Sequence, residues 1–199
     1  MPTAACTWTT LAHADVRARR ATQREPGLGS NTISWQAVNL AVVSDTHMPR
    51  GARAIPELCL QRCRAADAIL HAGDLVDLAV LELLRSLGPP VHAVSGNVDN
   101  AAVRAVLPER LEREFAGVRI GMIHIPGASP NRLSRLRATF PRCHAVIFGH
   151  THMPEHGELE GFQIFNPGSP TERRRAPVHT MGSATIAGGE IVFELHVLS

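Results

Sequence analysis

The stretch "LAVVSDTH", residues 40–47, is a short apolar run that stops abruptly at an aspartate and a histidine. It reads as a β-strand with two polar groups just past its end. The segments after it repeat that arrangement. A helical pattern spans about Ala54 to Ala65, a strand comes next at "AILH" (68–71), a helix from about Leu78 to Leu87, and a strand at "VHAVS" (91–95). Strands alternating with helices are the signature of βαβ units. A second set continues the chain: strand "VRIGMIH" (118–124), a helix from about Asn131 to Phe140, and strand "AVIFG" (145–149). The end of the chain changes character. "GFQIF" (161–165) and "HTMGSATIAGGEIVFELHVL" (179–198) read as short antiparallel strands, the last two joined as a hairpin at Gly188 and Gly189. The fold class is α/β, with two packed sheets and helices outside.

On the N-terminal side, residues 1–36 differ from the rest. "RARRATQREPGLGSNT" (17–32) has basic residues, Pro, Gly and Ser but no sustained apolar period, the composition of a disordered arm. The ordered domain is expected at 38–199. Because the first strand starts almost at Val38, the arm could also be an artefact of the assigned start codon. A peptide covering Arg24 to Trp35 in the native protein would exclude that.

At 199 residues, 44% hydrophobic and 19% charged, the chain suits one globular domain with a substantial core. A net charge of +2 gives no specific nucleic-acid signal. Neither a membrane-spanning apolar run nor a secretory h-region is present, so a cytoplasmic location is expected. Four cysteines are sparse for a disulfide scaffold, and Cys59 and Cys63, one helical turn apart, read as core thiols.

Each strand of the α/β portion ends in a residue able to ligate a metal. Asp45 and His47 follow the first, Asp74 the second, Asn97 the third; His124 closes the fourth, and His150 and His152 follow the fifth. His150 and His152, two apart, are expected to point the same way past the strand. In an open parallel sheet the C-terminal strand ends share one crevice. Seven oxygen and nitrogen donors are too many for one tetrahedral zinc and suit two adjacent ions. With no thiolate among them, they favour Mn, Fe, Co, Ni or Zn. Gly73, Gly96 and Gly149 each directly precede a ligand, where a tight turn needs a residue without Cβ.

These pieces in order, "SDTH" (44–47), "HAGD" (71–74), "SGNVD" (95–99), His124, "FGHTH" (148–152) and "NPGS" (166–169), resemble the calcineurin-like metallophosphoesterase superfamily, and within it the small bacterial and archaeal phosphodiesterase group. The resemblance covers about Leu40 to the C-terminus. It implies a four-layer α/β/β/α sandwich and two divalent metal ions, Mn foremost. Asp45, His47 and His152 would hold the first ion, Asn97, His124 and His150 the second, with Asp74 bridging. It implies Asp74, Asn97 and His124 as catalytic residues, Asn97 and His124 also binding substrate, and hydrolysis of a small phosphodiester by a metal-bridging hydroxide.

Two departures stand out. Many members carry a histidine, taken as a general acid, where this chain has Val98; the small phosphodiesterase group commonly lacks that histidine too, which favours the subgroup over a protein phosphatase. "HIPG" (124–127) replaces a common "HGH". Asp99 is read either as orienting Asn97 or a water, or as the N-cap of a helix from Ala101. His71 is read as a core residue or a support for the ligands, His156 as a solvated loop residue or a substrate contact, and "NPGS" as shaping a loop beneath the site. His92, His144, His179 and His196 read as strand or strand-edge residues.

Two other functions compete. One is a protein-binding scaffold on the same sandwich, discriminated by metal-dependent turnover. The other is a hydrolase of cyclic or dinucleoside phosphates, disfavoured by 4% aromatic content without tyrosine. A homo-oligomer is compatible with the size, although no stretch identifies an interface.

Overall fold

Side chains alternate across the first strand, β1 (Val38–Val43), and every one from Leu40 onward is buried. Leu40 and Val42 join one apolar cluster while Ala41 and Val43 join another. A strand buried on both faces must sit between two layers. The computed structural model describes residues 37–198, and the arm expected at 1–36 lies outside them.

The first sheet adds β2 (Ala68–His71) and β3 (Val91–Ala93), parallel to β1 and to each other. On the other side of β1 run β9 (Thr180–Ala187) and β10 (Glu190–Val197), antiparallel and joined at Gly188 and Gly189, giving the order β10-β9-β1-β2-β3. The second sheet consists of β4 (Arg110–Phe115), β5 (Val118–Ile123), β6 (Ala145–Ile147), β7 (Glu155–Leu159) and β8 (Phe162–Asn166), in the order β4-β5-β6-β8-β7. Its central strands β5, β6 and β8 are parallel.

Between the sheets lie Leu40, Val42, Leu70, Ile120, Met122, Ile147 and Phe165. Each fully buried large apolar side chain contributes about 1.5–3 kcal/mol relative to exposure. The outer face of the first sheet is covered by α1 (Glu57–Ala65), α2 (Leu78–Ser86) and α3 (Ala101–Val106) through Cys59, Cys63, Leu81, Leu84 and Val103. The second sheet's outer face is covered by α4 (Arg132–Thr139), through Leu136 and the flanking Phe140. The result is the expected α/β/β/α sandwich. Cys59 and Cys63 are indeed core thiols, fully buried. No helix of the described residues is long and apolar enough to cross a membrane.

Two strands escaped the sequence reading, β4 and β7, which are the two edges of the second sheet. Four of the six residues of β4 ("RLEREF") are charged. Edge strands use such charges against edge-to-edge pairing, and this erases the apolar signal. α1 begins at Glu57, not Ala54, because Pro56, at φ −56°, occupies its N-cap. α3 is capped by Asn100, whose side chain accepts from Val103 N–H, so Asp99 is not the cap.

Candidate metal centre

Every residue expected at the strand ends lies there, but turns rather than strand alternation aim them. Asp45 (φ 56°), His47 (44°), Asp74 (60°), His150 (72°) and His152 (59°) all have left-handed backbones. That conformation costs about 1–3 kcal/mol at non-glycine positions and persists only where the surroundings over-determine it. The expectation that His150 and His152 point the same way is therefore corrected. Both lie beyond β6, and each turn sends its ring to a different partner.

His152 faces His47 and Asp45. Its Nε2 lies 3.1 Å from His47 Nε2 and 3.2 Å from Asp45 Oδ1. His150 faces Asn97, with Nδ1 2.8 Å from Asn97 Oδ1. The same Asn97 oxygen is 3.1 Å from His124 Nε2. Between the two groups sits Asp74, whose Oδ2 is 3.4 Å from His47 Nε2 and 3.1 Å from His124 Nε2. Donor atoms of Asp45, His47 and His152 all lie within 4.8 Å of one another, and so do those of Asp45, Asp74 and His124. Both carboxylates thus reach across, but not equivalently. Asp45 Oδ2 is already engaged by Ser44 Oγ at 2.6 Å and His150 N–H at 3.0 Å, leaving Asp74 Oδ2 as the oxygen between imidazoles of both groups.

The tautomers set by the backbone make this donor set fit cations. His124 Nδ1 donates to Ala72 O at 2.8 Å, and His152 Nδ1 donates to Glu172 O at 2.5 Å. With Nδ1–H committed to a backbone carbonyl, each ring turns Nε2 toward acceptor atoms: Asp74 and Asn97 oxygens for His124, Asp45 Oδ1 and His47 Nε2 for His152. Buried lone pairs facing one another repel unless a proton or a metal cation sits between them. Burial opposes charge on Asp45, but its contacts with His152 and His47 outweigh that and hold the carboxyl well below its ordinary range. Burial likewise opposes charge on Asp74, and contact with His124 overrides it to lower the pKa. Both carboxylates are anionic and ready to ligate.

Around these groups runs a supporting shell that sequence reasoning only partly found. His71 is fully buried; its Nδ1 accepts from Gly73 N–H at 3.2 Å, so Nε2–H donates to Thr46 Oγ1 at 3.2 Å. Burial depresses its pKa to about 4, keeping it neutral. It is a core residue and a support at once, tying the turn that carries Asp45 and His47 to the turn that carries Asp74. Replacing it, as in His71→Phe, strands two buried polar groups at about 1–3 kcal/mol each. We expect a lower Tm and metal affinity weakened about tenfold or more, checked by thermal melts with and without metal; unchanged affinity would make His71 merely structural.

Asp99 accepts from Gly96 N–H and Val76 N–H, both at 2.6 Å, and so fixes the turn carrying Asn97. "NPGS" does lie beneath the site. Asn166 holds Gly149 O and Thr151 Oγ1, and Ser169 Oγ donates to Asp45 O at 2.7 Å. Three contributors had no sequence signal. Thr171 Oγ1 donates to Thr46 O at 2.6 Å, Glu172 places Oε2 3.5 Å from His47 Nδ1, and Arg53 pairs with Glu172 at 2.9 Å. Only the continuation of "NPGS" into "PTE" (170–172) could have hinted at them. His156 is on β7, not in a loop; it bonds Gln163 at 2.9 Å and packs edge-on against Phe165 and Phe193.

The family model described as calcineurin-like phosphoesterase superfamily domain matches residues 38–189. A probable metallophosphoesterase of Methanothermobacter thermautotrophicus is 38% identical over 138 residues, covering 68% of this chain and 78% of that protein. Among solved structures, the Thermotoga maritima protein TM1076 is 31% identical with a TM-score of 0.65, covering 81% of this chain and 99% of the other. Vps29 of Entamoeba histolytica, crystallised with zinc, is 25% identical with a TM-score of 0.63 over 81% of this chain and 99% of its own.

Proposed function

The chain belongs to the calcineurin-like phosphoesterase superfamily, and from that premise we propose that it is a phosphodiesterase working with two divalent cations. Asp45, His47 and His152 would hold one cation, Asn97, His124 and His150 the other, and Asp74 both. The observation that carries this reading is the inward-facing set of carboxylate, amide and imidazole donors, in particular Asp74 Oδ2 within 3.4 Å of His47 Nε2 and 3.1 Å of His124 Nε2. Oxygen and imidazole donors without thiolate suit manganese. The zinc in the Entamoeba relative supports a divalent ion on this fold. Three buried, unpaired thiols, Cys59, Cys63 and Cys143, fit a reducing cytoplasm.

When bound, such a metal pair lowers the pKa of water and polarises phosphoryl oxygens. The chain's own residues do the rest. Val98 N–H donates to Asp74 Oδ1 at 2.9 Å and leaves Oδ2 free for ligation. Asn97 is exposed, and it lines an open cleft with His124, where both would contact the substrate. The Val98 side chain has no proton to give. Departure is then easiest for an ester oxygen that is stable as an anion, so aryl diesters are the expected best substrates.

The test is hydrolysis of bis(p-nitrophenyl) phosphate by chelator-stripped protein, with Mn, Ni, Co, Zn or Mg added back. Turnover restored by metal, with Mn the most effective, is expected. Bound ions without turnover on any diester would instead favour a protein-binding scaffold.

A further inference from the structure

Two open clefts border the ligand residues, one lined by Asn97 and the other by His150, two residues whose side chains touch. The first, about 350 Å³, is lined by Asn97 and His124 together with Arg104, Arg110 and Ile125. The second, about 470 Å³, is lined by His150, Thr151, Met153, Arg174 and Arg175. Each therefore carries a pair of exposed arginines. Arg104 donates to Asn97 O at 3.1 Å and Arg174 to His150 O at 3.4 Å, while Asn97 Oδ1 and His150 Nδ1 are 2.8 Å apart. One guanidinium thus stands at the backbone of each of two touching ligand residues, and the lining of each cleft holds a second.

The four cleft arginines share their freedom from salt bridges with Arg50, Arg62, Arg85, Arg113, Arg135 and Arg173 among the described residues, and what sets them apart is their place beside the ligand residues. Arg53, Arg64, Arg119, Arg132 and Arg137 each pair with a glutamate at hydrogen-bonding distance. None of the four cleft arginines makes a salt bridge among the described residues. Glu109 lines the first cleft but is the only carboxylate lining either. Neither cleft has a phenylalanine or tryptophan in its lining, so neither offers the large aromatic face on which single-strand binders stack bases, and charge dominates both linings.

Resting on the phosphodiesterase reading, we propose that the substrate is a diester whose two ester arms each carry a further anionic group, as an internal linkage of a short phosphodiester chain does. Guanidinium pairs recognise phosphate through charge-assisted hydrogen bonds. Recognition is of charge spacing, not of base identity. The reaction itself is hydrolysis: a water oxygen adds to phosphorus, the P–O bond to one arm breaks, and a proton originating from the water ends on the departing oxygen.

The experiment compares scission of the same internal linkage in the dinucleotides TpT, pTpT, TpTp and pTpTp by the manganese-loaded full chain, with products separated by chromatography. Bis(p-nitrophenyl) phosphate runs alongside as an unphosphorylated diester. The expected kcat/KM is about tenfold higher for pTpTp than for TpT, with each single phosphate giving part of the gain. Raising the salt should erode the ratio. Arg110→Gln and Arg175→Gln should each remove the gain from a different terminal phosphate, and Arg→Lys at either position should restore part of it. Replacing thymine by adenine should leave the ratio unchanged. Turnover of the aryl diester with equal rates on TpT and pTpTp would overturn this proposal and leave the phosphodiesterase reading standing. Failure on every diester would overturn both.

Discussion

Asp74→Asn is expected to lower metal-dependent phosphodiesterase turnover by about a thousandfold, or about 4 kcal/mol of barrier, with the fold intact. The reason lies in one atom. Asp74 Oδ2 is the oxygen placed between His47 and His124, and an amide there brings no negative charge and loses one acceptor. Its other oxygen would still accept from Val98 N–H, as Oδ1 does, so the turn has no reason to collapse. Metal analysis after dialysis should show the protein falling below two ions per chain, and circular dichroism should be unchanged. A variant that keeps both ions and its activity would remove Asp74 from the bridging position.

Gly96→Ala should damage the site by a different route, through the fold. A Cβ at Gly96 would lie 2.1 Å from Asp74 Oδ1 and 2.4 Å from the Asp74 backbone nitrogen. A side chain could rotate away, but the backbone nitrogen cannot. Asp74 is held in a left-handed turn whose carbonyl accepts from His47 N–H at 3.0 Å, while the neighbouring Gly73 carbonyl accepts from Asp45 N–H at 3.0 Å. Any shift at Asp74 therefore moves the residues proposed for the first cation as well. Overpacking of this kind costs about 1–3 kcal/mol, and we expect the Tm to drop accordingly and metal affinity to weaken at least about tenfold. Calorimetric melting and metal titration check it. Native Tm and native affinity together would mean that the turn is softer than its contacts indicate.

Gly96 also shows why the sequence could point to the site without explaining it. A glycine before a ligand was readable, and it suggested a backbone need. The need at Gly96 and Gly149 is instead one of space. Cβ atoms there would meet the carboxylates of Asp74 and Asp45, and at Gly149 also Ser44 Oγ at 2.0 Å. Those close approaches join segments over twenty residues apart, or over a hundred, and no local pattern encodes them.

By itself the sequence determined the alternation of strands and helices, the placement of Asp45, His47, Asp74, Asn97, His124, His150 and His152 at successive strand ends, and the family. Apolar runs and their polar terminations are local properties of the chain. Tertiary structure alone decided the rest: the charged edge strands β4 and β7, whose partner supplies the pairing that composition hides; the left-handed turns that send His150 to Asn97 and His152 to Asp45; and the shell formed by His71, Thr171, Glu172 and Arg53. Those depend on which backbone groups meet across the sandwich. A left-handed turn, a fixed tautomer or a carboxylate shared between two imidazoles is held in place by contacts from several segments at once, so it exists only when the chain has folded.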